Sequence, residues 1–165
     1  IPHEIKMAKF KNGTRADIID RKNSYNTLID LMEDVRLFFS RNTKTSSVVV
    51  GMDRIDLNEY PFEVVREAIV NAVAHRDYKI NSSPITFYIY DNRIEITSPG
   101  KLIPPLTIAT LESANPLHRN KIICDIFSKT GYMEHYGTGI SRMKKTMLEE
   151  GLKEPKFEEM GNFLK

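Results

Sequence analysis

Between Tyr60 and Tyr78 the chain reads Tyr-Pro-Phe-Glu-Val-Val-Arg-Glu-Ala-Ile-Val-Asn-Ala-Val-Ala-His-Arg-Asp-Tyr, and two demands are written on these residues at once. Val64, Val65, Ala68, Ile69, Ala72 and Val73 recur at the spacing of a helix with one apolar face, and Pro61 stands where a first helical turn tolerates proline. Such a face must be covered by another layer. Along its border Glu67, Asn71 and His75 follow one another at i, i+4 and i+8, which lines up a carboxylate, an amide and an imidazole. That row is either the solvated flank of the helix or a place for an ion or a phosphate, and spacing alone leaves both open.

The elements around this helix read as mixed α and β. Glu4 to Arg21 is a hairpin turning at Asn12-Gly13, and Ser24 or Asn26 can cap a helix whose stripe is Leu28, Leu31, Met32, Val35, Phe38 and Phe39. The run Val48-Val49-Val50 predicts a strand covered on both faces. Ile85 to Tyr90 alternates, turns at Asp91-Asn92 and returns through Ile94 and Ile96 into Ser98-Pro99-Gly100, where backbone can approach a ligand closely. Lys101 to Asn115 reads as a long irregular segment and a candidate lid. Helical spacing resumes from Pro116 to Lys129 through Ile122, Ile123, Ile126 and Phe127. Gly137-Thr138-Gly139 then opens a helix carrying Ile140, Met143, Met147 and Leu148. Glycines before a helix expose N–H groups at its positive end, although Gly-x-Gly is also a plain turn. Phe157 to Leu164 reads as the start of a last strand.

Composition excludes several classes. A chain of 165 residues, 41% hydrophobic, with a formal net charge of +2, is large enough for a core and too evenly charged for a generally basic nucleic-acid binder. The single cysteine, Cys124, rules out an internal disulfide and predicts core packing in a reducing, cytoplasmic setting. No run is long and apolar enough for a membrane span, and both ends read as cut from a longer chain.

The Glu67-x-x-x-Asn71 helix, the strand into Ser98-Pro99-Gly100 and the later Gly137-Thr138-Gly139 resemble, in that order, the N box and two glycine boxes of the GHKL (Bergerat) ATPase fold of DNA gyrase, heat-shock chaperones, histidine kinases and MutL. Arg66 to Tyr78, Ile96 to Gly100 and Tyr136 to Ile140 are more specifically similar to the GHKL-like C-terminal domain of RecG-related helicases and transcriptional regulators. The resemblance implies an α+β two-layer sandwich, a mainly antiparallel sheet covered on one face by helices, over residues 46–165. It also implies that residues 1–45 are the end of a Schlafen-type, Alba-like domain with its connecting helix, and that a winged helix follows. ATP and Mg²⁺ are the implied cofactors, with Asn71 as metal ligand and Glu67 as catalytic base. Gly137, Thr138 and Gly139 would sit at the phosphates, Ser98 and Gly100 at the nucleotide, and His75, Arg119 or Asn120 as further contacts. Ser98 stands where the fold normally places the adenine-reading Asp, which leaves a degenerate site in a non-catalytic dimerisation or docking domain as the alternative. No Gly-x-x-x-x-Gly-Lys-Ser/Thr loop occurs, so the helicase label has no support in these residues. DNA contact is expected through domains outside this chain, a homodimer is an implied partner state, and a direct basic face of Arg76, Arg142, Lys144 and Lys145 is a further reading, weighed against a solvated helix flank.

Overall fold

A computed structural model describes residues 4–133 and 137–165. The hairpin expected at the start forms from β1 (Ile5–Phe10) and β2 (Ile18–Ser24), but its connection is a longer loop than an Asn-Gly turn: Asn12 and Gly13 take positive φ within residues 11–17, and the Lys11 N–H donates to the Asp17 carbonyl across the loop. α1 (Leu28–Asn42) buries all six residues of its apolar stripe. Its cap is Thr27, which accepts from the Asp30 N–H, whereas Ser24 and Asn26 both donate to the Asp34 carboxylate and so are not free to cap.

β3 (Thr45–Val50) and β4 (Asp53–Asn58) pair only with each other, and every residue of β3 is exposed. The β-branched run therefore does not mark a strand buried on both faces: among the described residues it has a partner on one edge and no layer above it. After α2 (Phe62–His75), β5 (Ile85–Ile89) and β6 (Ile94–Pro99) form the second expected hairpin, and β5 alternates buried with half-buried residues. A short 3-10 turn at Ile108–Thr110 is the only regular element described in the irregular segment, capped by Thr107. α3 is shorter than its apolar spacing predicts, Lys121–Lys129, and buries Cys124 and Phe127 while Ile122 and Ile126 face solvent. α4 (Gly139–Glu149) buries Met143. The last strand is a small hairpin, β7 (Glu159–Met160) and β8 (Phe163–Leu164), and β8 pairs with the end of β6 at Ser98 and Pro99.

The main sheet has the order β2-β1-β5-β6-β8-β7, antiparallel except for the β1–β5 pair, so the α+β sandwich with a mainly antiparallel sheet is what forms. Its inner face supplies Ile5, Met7, Ile85, Phe87 and Ile89 to one core with Leu31, Val35 and Phe38 of α1 and Val65, Ile69 and Val73 of α2. Residues of β1, β2 and α1 thus share this sheet and core with the elements that follow. That arrangement fixes α2 against the sheet along its apolar face and leaves its Glu67–His75 border turned toward the segments that follow β6.

Candidate functional site

The polar row on α2 is the natural starting point, because the core holds the helix in place. Glu67 is only 7% exposed, which a carboxylate tolerates when it is paired and hydrogen-bonded. Asn71 Nδ2 donates to Glu67 Oε1 at 3.4 Å, and Arg142 Nη2 of α4 donates to Oε2 at 3.2 Å. Gly139, the first residue of α4, lies directly on the same side chain: a Cβ there would overlap Oε1 and come within 3.0 Å of the Glu67 Cδ. The N-terminus of α4 therefore meets the Glu67–Asn71 end of the row, and these three sequence-predicted residues are brought together.

The other end of the row forms a second cluster. His75 stacks on His118, ring centroids 6.1 Å apart, and burial together with the positive charge of His118 and Arg119 lowers its pKa to about 4. Arg119 donates to the Lys101 carbonyl at 2.6 Å and lies 3.5 Å from Asp77 Oδ2. Asn120 Nδ2 donates to the carbonyls of Ala74 and Arg76, satisfying acceptors that the end of α2 leaves open. Asp77 is gripped by the end of β6, donating its N–H to the Pro99 carbonyl at 2.7 Å.

Ser98 and Gly100 have their contacts inside the protein. The Ser98 hydroxyl is buried and donates to the Ala72 carbonyl at 2.7 Å. Gly100 has φ +119, and a Cβ on it would come within 2.9 Å of both the N and Cβ of Asp77, so the close backbone approach it permits is to Asp77. Gly137 (φ +68) and Thr138 are exposed, and a Cβ on Gly137 would come within 3.2 Å of Pro116. Glu134, His135 and Tyr136, which lead into that turn, lie outside the described residues.

The basic-face reading does not match the geometry. Arg76 is buried and donates to the Ser83 carbonyl, Arg142 pairs with Glu67, Lys144 with Glu112 and Lys145 with Glu149. Asp77 and His118 were not legible as parts of the site, and Asn120 was legible as a contact but not as a cap on α2, because each acts through a partner dozens of residues away. For Asp77 the local signal was its place inside Arg66 to Tyr78.

Glu67 and the Asn71 carbonyl oxygen are hard oxygen donors of the kind magnesium accepts, and an Asn71 that donates through Nδ2 keeps Oδ1 for a metal. Among the described residues no three His, Cys, Asp or Glu side chains converge as a metal-binding group, so an ion here would depend on Asn71, water and the oxygens of its ligand. As it stands the arrangement is closed, with Glu67 engaged by Asn71, Arg142 and Gly139 together.

A family model described as "Putative ATP-dependent DNA helicase recG C-terminal" matches residues 82–165, a span that holds Ser98, Gly100, Arg119 and the Gly137–Gly139 turn and begins after α2. The crystal structure of the DIP2311 protein from Corynebacterium diphtheriae is similar over 97% of this chain, with a TM-score of 0.85 and 25% identity. This chain spans 33% of that protein's length. No curated protein matches it. None of the described helices is long and apolar enough to cross a membrane.

Proposed function

Because the chain belongs to the family of RecG-type C-terminal, ATPase-like domains, we propose that it is the Mg²⁺-dependent ATP-binding module of a DNA-binding transcriptional regulator. One observation carries this reading: Glu67, hydrogen-bonded to Asn71 on α2, is in contact with Gly139 at the head of α4, so the carboxylate–amide row and the glycine turn face one place. In that place Asn71 Oδ1 would hold the metal, and the exposed Gly137–Thr138 turn at the head of α4 would present backbone N–H groups to phosphate oxygens. Glu67 orients water for in-line attack. Bound magnesium would supply charge neutralisation at the phosphates. Arg119, paired with Asp77, and a neutral His75 border the far end of the row, and the Ser98 hydroxyl, spent on Ala72, leaves the base to be read by something other than the usual carboxylate.

The test is a thermal melt with and without Mg·ATP. A ligand at about 100 times its dissociation constant stabilises by about 2.7 kcal/mol, a shift of several degrees for a chain this size. Wild type is expected to shift and Asn71→Ala is not. Equal shifts, or none in either, remove the proposal.

A second reading, a scaffold that pairs with another copy of itself, is favoured by the β3–β4 ribbon. Val48, Val50, Ile55 and Leu57 share one exposed face of it, with no other strand alongside, and an isolated two-stranded ribbon is marginal in water. Light scattering that gives a dimer for wild type and a folded monomer for Ile55→Lys supports this reading, and a monomeric wild type ends it.

A further inference from the structure

α4 is held from two sides. On its inner side Arg142 pairs with the buried Glu67 at 3.2 Å while Gly139 rests on the same carboxylate. On its outer side Glu112, from the irregular segment after β6, accepts from Ser141 Oγ at 3.1 Å and pairs with Lys144. The helix that carries the glycine turn is thus clamped onto the very carboxylate expected to face water. Each Glu67 oxygen already accepts one hydrogen bond, from Asn71 or from Arg142, and a backbone too close for a Cβ leaves no room for a water on the Gly139 side of the carboxylate.

We propose that the Glu67–Arg142 pair is an autoinhibitory latch: it keeps α4 on α2 and the place between them shut, and ligand enters only when the pair breaks and the head of α4 moves away. This rests on the nucleotide-binding reading. Arg142 is the half of the pair that is open to solvent, with 44% of its side chain exposed against 9% for Glu67, so it is the half that leaves. Opening then places a buried carboxylate in contact with water and metal, which couples entry of the ligand to readiness of Glu67. Glu112 adds a restraint that is exposed and therefore weaker.

The test is calorimetric titration of Mg·ATP into the chain and three variants. Arg142→Gln removes the latch and is expected to bind about fivefold more tightly than wild type, the factor that a pair of this exposure can supply. Arg142→Lys keeps a cation and is expected to bind as wild type does. Arg142→Gln leaves a buried carboxylate uncompensated, so the double variant Glu67→Gln/Arg142→Gln, which buries no charge, is measured beside it and is also expected to bind more tightly. If wild type binds and neither Arg142→Gln variant binds more tightly, the latch is wrong while the nucleotide reading stands. If no folded variant and no wild type binds, both fall together.

Discussion

Gly139 and Glu67 are in such close contact that the first residue of α4 has no space for a side chain, because the carboxylate of Glu67 occupies the position a Cβ would take. An alanine there must displace a buried charged group or push α4 off α2. Gly139 lies at a helix start, where alanine is otherwise favourable by up to about 1 kcal/mol. The contact reverses that sign. Gly139→Ala is expected to destabilise by about 1–3 kcal/mol, the usual range for overpacking, and denaturant melts of the two proteins would measure it. A variant as stable as wild type would show that Glu67 has somewhere else to go.

Gly100 presents the same problem on the other flank of α2. Its φ of +119 disfavours any side chain, and a Cβ would meet the Asp77 backbone nitrogen at 2.9 Å. Backbone cannot swing aside as a flexible side chain does, and the Asp77 N–H is already fixed to the Pro99 carbonyl. Gly100→Ala should cost more than about 2 kcal/mol. Loss of the Asp77–Pro99 bond would appear as faster amide exchange at Asp77.

Asn120 is the counterpart for the end of α2. One Nδ2 group serves two carbonyls, those of Ala74 and Arg76, and without it both lack this partner in a partly buried place. Asn120→Ala is expected to lower stability by about 1–2 kcal/mol, with Asn120→Asp no better because a carboxylate cannot donate. Urea titration separates the three. Rescue by Asp would mean that packing rather than donation is what matters.

The sequence showed local pattern well and long-range partners poorly. The stripe of α1 and the alternation of β5 follow from local periodicities, about 3.6 residues in the helix and about 2 in the strand, and both are buried as those periodicities require. Val48-Val49-Val50 carries the same kind of signal, yet burial depends on whether a layer lies above the strand, and no local pattern encodes that. The α1 cap went to Thr27 for a similar reason, since Asp34 draws in both Ser24 and Asn26 from a turn away along the helix. At the site, the row Glu67, Asn71 and His75 was legible as a row. That its two ends would meet different segments, α4 at Glu67 and residues 118–120 at His75, was set by the tertiary path of the chain after β6.

His75 gives the last prediction, on pH. Its imidazole is held near pKa 4 by burial and by the electrostatic effect of His118 and Arg119, against 6.5 for an ordinary histidine, and Arg119 is itself paired with Asp77. A depressed folded pKa means that the unfolded chain binds the proton more readily, so stability from this group is complete above about pH 6.5 and falls as pH drops toward 4. The loss over that window is at most about 3 kcal/mol, and less to the extent that solvent reaches the ring. Melts at pH 7.5 and pH 5 should show it in wild type, and His75→Gln, which has no proton to gain, should show a flatter profile between the same two values. Identical pH profiles for the two proteins would mean that His75 takes up its proton in the folded chain as easily as in the unfolded one, and that the stacked His75–His118 pair opens to water instead of resisting charge.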